Sequence, residues 1–325
     1  MKATVLGAGA WGTALAGVLQ GTGCETTLWG HDPARLDEIR RSGRNERYLP
    51  GIPLSREIKL ATDLPAVLDA DCIIVAVPSK AFREVTSVLK DYRGIVVSVT
   101  KGIEYDSGLT MCGVLAENAP LARHAALSGP SFAIEVARGI PTAIVAASAD
   151  LAAAEEVQRI FSCASFRVYT TPDVLGVELG GALKNVIAIA SGVADGLGFG
   201  DNSKAALVTR AIAEVRRLGV ACGAQAETFT GLSGLGDLMV TCFSKHSRNR
   251  SFGERCGRGE KPADVAAGMH AIAEGYPTTR SAYQLARRHQ VTTPVVAEVY
   301  AMLYEGKDVR KGVRDLMSRD LKAED

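Results

Sequence analysis

The stretch Thr4-Val5-Leu6-Gly7-Ala8-Gly9-Ala10-Trp11-Gly12-Thr13-Ala14-Leu15-Ala16 decides the fold. An apolar run enters a Gly-x-Gly-x-x-Gly turn and leaves it as a helix of small residues. Gly7 permits a tight turn, Gly9 lets backbone approach a phosphate without a Cβ, and Gly12 lets the helix sit close to the sheet. The helix start adds free N–H groups and a partial positive charge. The segment therefore suits the pyrophosphate of a dinucleotide. Glycine-rich turns are common, so the alternative is a strand–helix turn that holds nothing. The flanking strand and helix weigh against it.

Outward from this turn, apolar runs alternate with helical patterns. Residues 26–29 read as a strand. Cys72-Ile73-Ile74-Val75-Ala76-Val77-Pro78 is the near-continuous run expected of a parallel strand buried on both faces. Ser79 stands as an N-cap, with Phe82, Val85, Val88 and Leu89 on one helical face. Residues 95–99, 125–127, 143–147 and 166–169 read as further strands. This alternation predicts an α/β fold with a doubly wound sheet. At Thr171-Pro172-Asp173 the pattern changes. Thr171 as N-cap and Pro172 at the first helical position predict a helix start. Helices follow at 174–194, 203–222, 263–267, 278–289 and 294–304. The expected architecture is a dinucleotide-binding Rossmann domain, residues 1–171, and an all-helical substrate domain, residues 172–325.

Bulk properties narrow the class. The 325 residues carry a net charge of +1, with 47% hydrophobic, 22% charged and 6% aromatic residues. No basic stripe with interleaved aromatics argues for nucleic acid. No apolar stretch approaches the roughly 18 uncharged residues of a membrane span. Met1-Lys2 runs at once into a strand, so no signal peptide is expected. The seven cysteines are odd in number and lack Cys-x-x-Cys spacing, so buried thiols in a reducing cytoplasm are expected. The five histidines are scattered, and no metal is expected.

Open α/β sheets bind ligands beyond the carboxyl ends of their strands. Pro78-Ser79, Thr100-Lys101-Gly102 and Ser128-Gly129-Pro130-Ser131-Phe132-Ala133 are therefore expected to converge over the cofactor. Lys101 brings a cation there; otherwise it is a solvated surface lysine. Further on, Lys184 has Gly180 and Gly181 one turn before it and Ile187 and Ala188 one turn after. On so apolar a face desolvation favours the neutral amine, which suits acid–base work near neutral pH. The two glycines cost roughly 1 kcal/mol each, a cost that makes sense if something approaches the helix closely. The competing reading is a lysine that snorkels or pairs with a carboxylate. A glycine-rich loop at 231–238 delivers Asp237, and Thr241 follows. Ser247-Arg248-Asn249-Arg250 is either a solvated loop or, beside Lys184, an anion clamp.

Taken together and in order, Gly7 to Ala16, Trp29-Gly30-His31-Asp32, Val77-Pro78-Ser79, Thr100-Lys101-Gly102-Ile103-Glu104 and Ser128 to Ala133 resemble bacterial NAD(P)-dependent glycerol-3-phosphate dehydrogenases. So do Leu179 to Ala188, Gly234-Leu235-Gly236-Asp237-Leu238 and Ser247 to Arg250. The resemblance implies a cytoplasmic homodimer that reduces dihydroxyacetone phosphate to sn-glycerol 3-phosphate with NADP(H) or NAD(H), for glycerophospholipid synthesis. It implies Lys184 as catalytic acid/base with Asp237 beside it. It implies Lys101, Gly129, Ser131, Asn185, Asp237, Thr241, Ser247, Arg248 and Asn249 around the substrate. Ala10, Trp11, His31, Lys101, Ala133, Arg248, Ile272 and Glu274 fall where the family contacts the dinucleotide, alongside Gly7, Gly9 and Gly12. Ser131 stands where some members carry threonine, and keeps the hydroxyl.

NAD specificity normally uses an acid at the end of the second strand. Here Asp32 is displaced from it, with His31 and Arg35 nearby, so NADPH is expected to be accepted and preferred, with NADH also used. Two other readings compete. One is a related dehydrogenase acting on 6-phosphogluconate or a 3-hydroxyacid. The other is a non-catalytic NAD(P) sensor, which would have no need of Lys184 with Asp237.

Overall fold

The computed structural model describes residues 1–65, 68–269, 273–321 and 323. Its chain forms two compact units: residues 1–104 with 109–178, and residues 105–108 with 179–325. The first carries β1 (Lys2–Leu6), α1 (Ala10–Gly21), β2 (Glu25–Trp29), α2 (Pro33–Ser42), β3 (Lys59–Ala61), β4 (Cys72–Val75), α3 (Ser79–Thr86) and β5 (Ile95–Ser98). It continues with α4 (Met111–Asn118), β6 (Arg123–Ser128), α5 (Ala133–Ala137), β7 (Thr142–Ala147), α6 (Leu151–Phe161) and β8 (Phe166–Thr171).

The eight strands form one sheet in the order β3-β2-β1-β4-β5-β6-β7-β8. All neighbours are parallel except β6 and β7. The apolar runs explain why. Val5, Leu28, Ile74 and Val97 enter one core with Leu15 of α1 and Val157 of α6. Their chain neighbours Leu6, Ile73, Val75 and Val96 enter the other with Phe82 of α3 and Leu115 of α4. Alternate residues are thus buried on opposite faces, each worth about 1.5–3 kcal/mol. The antiparallel step at β7 and the short edge strand β3 go beyond the sequence reading.

Two cap assignments are corrected. Ser79 is the first residue of α3 and Pro78 holds the N-cap position, with no side-chain cap. Thr171 is the last residue of β8, paired with Ala147; its Oγ1 accepts from Asp173 N at 3.3 Å, two residues before the cap position rather than at it. Asp173 caps instead: its Oδ1 accepts from Gly176 N at 2.9 Å, and α7 (Val174–Gly196) starts one residue later. The sequence reading divided the chain before this helix. The compact units divide inside it, between Glu178 and Leu179, because Val177 still packs in the first unit's core.

The second unit continues α7 and adds α8 (Asp201–Ala221), α9 (Asp237–Phe243), α10 (Arg248–Gly257), α11 (Pro262–Ala267), α12 (Gly275–Arg288), α13 (Pro294–Tyr304) and α14 (Val309–Met317). Against the sequence expectation, helix α7 is long and apolar enough to cross a membrane, because the few charges it carries are spaced along it, yet 89% of its most apolar 18 residues are buried in the protein. It lies close against α10. A Cβ on Gly192 would strike the Arg250 carbonyl, and one on Gly253 would strike the Ile189 carbonyl. Backbone contact of this kind needs glycine, and it lays the start of α10 alongside the helix of Lys184.

Candidate active site

In the first unit the glycine turn divides its labour. Gly7 has φ +120°, and a Cβ there would lie 2.6 Å from the Ala76 carbonyl oxygen. A Cβ on Gly12 would strike the Gly7 carbonyl, whereas one on Gly9 would meet nothing within 4 Å. Gly7 and Gly12 therefore serve the packing of helix on sheet, and Gly9 leaves open space at the start of α1. Among the described residues no side chain caps α1, so its first N–H groups are offered to that space. The space lies off the end of β1, where the strand order turns from β2 to β4. These features fit the pyrophosphate of NAD(H) or NADP(H). Ala10 and Trp11 open α1, with Trp11 packed on the core.

The three strand-end segments lie against one another. Thr100 Oγ1 donates to the carbonyls of Val77 at 2.7 Å and Val75 at 3.2 Å. A Cβ on Gly102 would lie 2.6 Å from Ser79 Cβ. Lys101 Nζ and Ser131 Oγ both donate to the Gly129 carbonyl, at 3.0 and 2.9 Å. Gly129 has φ +148°, which favours glycine, and Ala133 opens α5. Beyond β2, His31 is exposed and Asp32 caps α2, accepting from Arg35 N at 3.2 Å. That hydrogen bond holds the Asp32 carboxyl below its ordinary range. Arg35 Nη2 also pairs with Asp32 at 3.3 Å. Arg35 lies over the Tyr48 ring at 4.8 Å.

In the second unit Lys184 is buried, with 7% of its surface exposed. Its Nζ donates to Asp237 Oδ1 and, at 2.7 Å, to Thr241 Oγ1. Thr241 Oγ1 in turn donates to the Asp237 carbonyl at 2.6 Å, one turn back on α9. Asp237 is 1% exposed, so the pair is largely removed from water. A single π-helical turn, Leu232–Gly236, leads into α9 and aims Asp237. The expected approach to the glycines before Lys184 is real, but what approaches is the chain itself: a Cβ on Gly180 would lie 2.8 Å from the Ser233 carbonyl oxygen.

A second cluster lies one residue along. Asn249 Nδ2 donates to Asn185 Oδ1 at 2.8 Å, and Asn249 Oδ1 accepts from Gly275 N at 2.9 Å. Ser247 is the N-cap of α10, accepting from Arg250 N at 3.1 Å. The basic run is thus a helix start rather than a loop. Arg248 keeps an exposed side, while the protein packed about its head lowers its pKa and Glu274 opposes that. Cys242, next to Thr241, is buried, which pushes its thiol up to about 12 and keeps it protonated. Ile272 lies outside the described residues.

The sequence reading did not single out Asp195, which accepts ion pairs from Lys204 and Arg250 at 2.6 Å each and ties α7 and α8 to α10. It also missed Gly192 and Gly253. The Gly192-x-x-x-Gly196 and Gly253-x-x-x-Gly257 spacings were the available signal, marking helices that touch along one face.

A glycine turn suited to a dinucleotide in one unit and a buried lysine–carboxylate pair in the other are the parts that a two-domain nicotinamide-dependent dehydrogenase requires. Residues 2–154 match the family model of the NAD-dependent glycerol-3-phosphate dehydrogenase N-terminus, and residues 173–314 match that of its C-terminus. The chain belongs to this family. It is 49% identical over 331 residues to glycerol-3-phosphate dehydrogenase [NAD(P)+] of Syntrophotalea carbinolica, covering 100% of this chain and 99% of the relative. The Geobacter sulfurreducens enzyme of the same name is 49% identical, with 98% of each chain covered. The crystal structure of glycerol-3-phosphate dehydrogenase from Coxiella burnetii superposes with a TM-score of 0.94 at 38% identity, covering 98% of this chain and 99% of that one.

Proposed function

We propose that this chain interconverts dihydroxyacetone phosphate and sn-glycerol 3-phosphate with NADPH or NADH, that Lys184 is its acid/base, and that its product feeds glycerophospholipid synthesis. The observation that carries the reading is the Lys184 ammonium held by Asp237 and Thr241 in a buried setting, within a chain of this family. Residues 1–171 serve the dinucleotide and residues 172–325 supply the acid–base chemistry.

The nicotinamide, when bound, supplies or accepts the hydride. The rest falls to the chain. Lys184 Nζ, protonated, donates to the substrate's carbonyl oxygen, stabilises developing alkoxide charge and gives up its proton. In the reverse direction the neutral amine takes the hydroxyl proton. Asp237 and Thr241 orient the amine, and Asp237 offsets the cost of burying its charge. Arg248 and Lys101 serve substrate or cofactor phosphate, and Asn185 and Asn249 hold the start of α10 in register with Lys184. Binding energy from the phosphate, remote from the reacting carbon, helps orient the carbonyl.

The test is a steady-state assay following NAD(P)H absorbance with dihydroxyacetone phosphate, and in reverse with glycerol 3-phosphate, 6-phosphogluconate and a 3-hydroxyacid. Turnover confined to the triose phosphate pair is expected. Turnover of a hydroxy acid instead, or cofactor binding with no turnover, would overturn the assignment. The reading includes a homodimer and a cytoplasmic location. An apolar cleft of about 1220 Å³ in the second unit, edged by exposed Met317 and Leu321, offers a face for a second copy. Sedimentation equilibrium checks this. All seven cysteines are unpaired, which fits a reducing compartment.

A further inference from the structure

Helix α12 has two ends with different neighbours. Its first residue, Gly275, is bonded to Asn249 as described. Further along, Arg280, Tyr283 and Arg287 recur at helical spacing, with Arg288 beside them. With Tyr105 and with Tyr300 of α13 they line a cavity of about 460 Å³. Cavities of roughly 300–1,000 Å³ are the usual size for small-molecule sites.

The chemistry of the lining is specific. Among the described residues none of the three arginines is ion-paired with a carboxylate, and no acidic side chain lines the cavity. Arg280 lies 4.3 Å from the Tyr105 ring centroid, and Arg288 Nη1 donates to the Ser107 carbonyl at 3.0 Å. A helix C-terminus favours cations, which accounts for Arg287 and Arg288 in the last turn. It does not account for Arg280 two turns earlier, nor for the tyrosines. Tyr283 and Tyr300 stack with centroids 4.0 Å apart and planes within 8°. Such a pair presents an aromatic wall against which another flat ring can lie.

We propose that this cavity binds a nucleoside phosphate, distinct from the dinucleotide held at the glycine turn. Its phosphates meet the guanidinium groups of Arg280, Arg287 and Arg288, and its base lies on the Tyr283–Tyr300 wall. Guanidinium groups suit phosphate because their planar N–H pairs match its oxygens. The test is calorimetric titration of ADP into the full-length enzyme already saturated with NADPH, which blocks the glycine turn. One ADP per chain is expected. Arg280→Ala and Arg287→Ala, tested separately, are each expected to weaken ADP roughly 10-fold or more, with NADPH affinity and Tm unchanged. Inorganic pyrophosphate is expected to bind at least about 10-fold more weakly than ADP, since it lacks the ring. No ADP uptake by the saturated enzyme would overturn the proposal, as would uptake unaffected by either substitution. Pyrophosphate binding as tightly as ADP would also overturn it, leaving a plain anion patch.

Discussion

The first unit builds its proposed ligand cradle from backbone, and the second builds its proposed reactive centre from side chains. At the glycine turn the working groups are the N–H groups at the start of α1 and the space beside Gly9. Around Lys184 they are an amine, a carboxylate, a hydroxyl and two amides drawn from α7, α9 and α10. Backbone cradles depend on local conformation, so a few consecutive residues specify them. Side-chain centres depend on how distant helices pack, so they rest on contacts such as Gly192 against α10 and Gly253 against α7. The two should therefore fail in different ways when disturbed.

The largest expected effect separates them outright. Lys184→Ala should lower kcat by about 10²–10⁴ through loss of acid–base catalysis, while NADPH binding by the first unit, followed by fluorescence titration, stays near wild type. A folded variant with near-normal kcat would remove Lys184 from the chemistry. A variant that also lost NADPH would show that the two regions are not as independent as their construction suggests.

Next comes stability against pH, where each unit has one test residue. Glu178 belongs to the first unit, and burial raises its pKa to about 6 despite hydrogen bonds from Thr110 and Cys112. Glu214 belongs to the second, and burial raises it to about 7 despite N–H donors from Val296 and Val295 at the start of α13. A carboxyl whose folded value exceeds its unfolded value holds an extra proton when folded, so stability falls as pH rises between the two. For Glu178 that window is 4.5 to about 6, and for Glu214 it is 4.5 to about 7. At about 1.36 kcal/mol per unit the losses are of the order of 2 and 3 kcal/mol. Urea unfolding at pH 5 and pH 8 checks this. Glu178→Gln and Glu214→Gln should each remove their own share of the slope, and a variant keeping the full slope would refute its assignment.

Smaller effects probe the polar cluster. Asn249→Ala should raise KM for dihydroxyacetone phosphate about 10-fold, since it breaks hydrogen bonds to both Asn185 and Gly275 worth roughly 1 kcal/mol each. Its counterpart in the first unit is Ser131→Ala, which removes one bond to the Gly129 carbonyl and should cost only a few-fold. Equal losses in steady-state KM would erase the contrast between the regions.

How much of this was legible in the sequence follows the same division. The glycine turn could be read because its three glycines meet local demands, and the strands at Cys72–Val75 and Ile95–Ser98 because burial on both faces leaves unbroken apolar runs. Lys184 could be picked out by its small neighbours, but its pairing with Asp237, 53 positions away, could not be read from spacing. Helix α10 was hidden because Arg-Asn-Arg-Ser-Phe-Gly-Glu-Arg-Cys-Gly is polar apart from Phe252, Gly253, Cys256 and Gly257, and two of those four are glycines. Thr171 misled because a β-branched threonine both caps helices and extends strands. Its backbone pairs with Ala147 while its hydroxyl accepts from Asp173 N, and the cap itself passes to Asp173.

The smallest effect concerns cofactor choice, and it turns on a competition at the end of β2. Asp32 would serve a ribose hydroxyl as an acceptor, but its carboxylate already caps α2 and pairs with Arg35. Arg35 in turn is steadied over Tyr48 rather than loose in solvent. A 2′-phosphate would replace Asp32 as a partner for that guanidinium without uncapping α2, because the cap depends on Arg35 N and not on its side chain. Arg35→Ala should therefore lower the NADPH-to-NADH ratio of kcat/KM by about 3- to 10-fold, on the scale of a partly exposed charge contact, and leave kcat with NADH unchanged. An unaltered ratio would mean that the backbone cradle discriminates the two dinucleotides without this arginine, leaving exposed His31 as the side chain to test next.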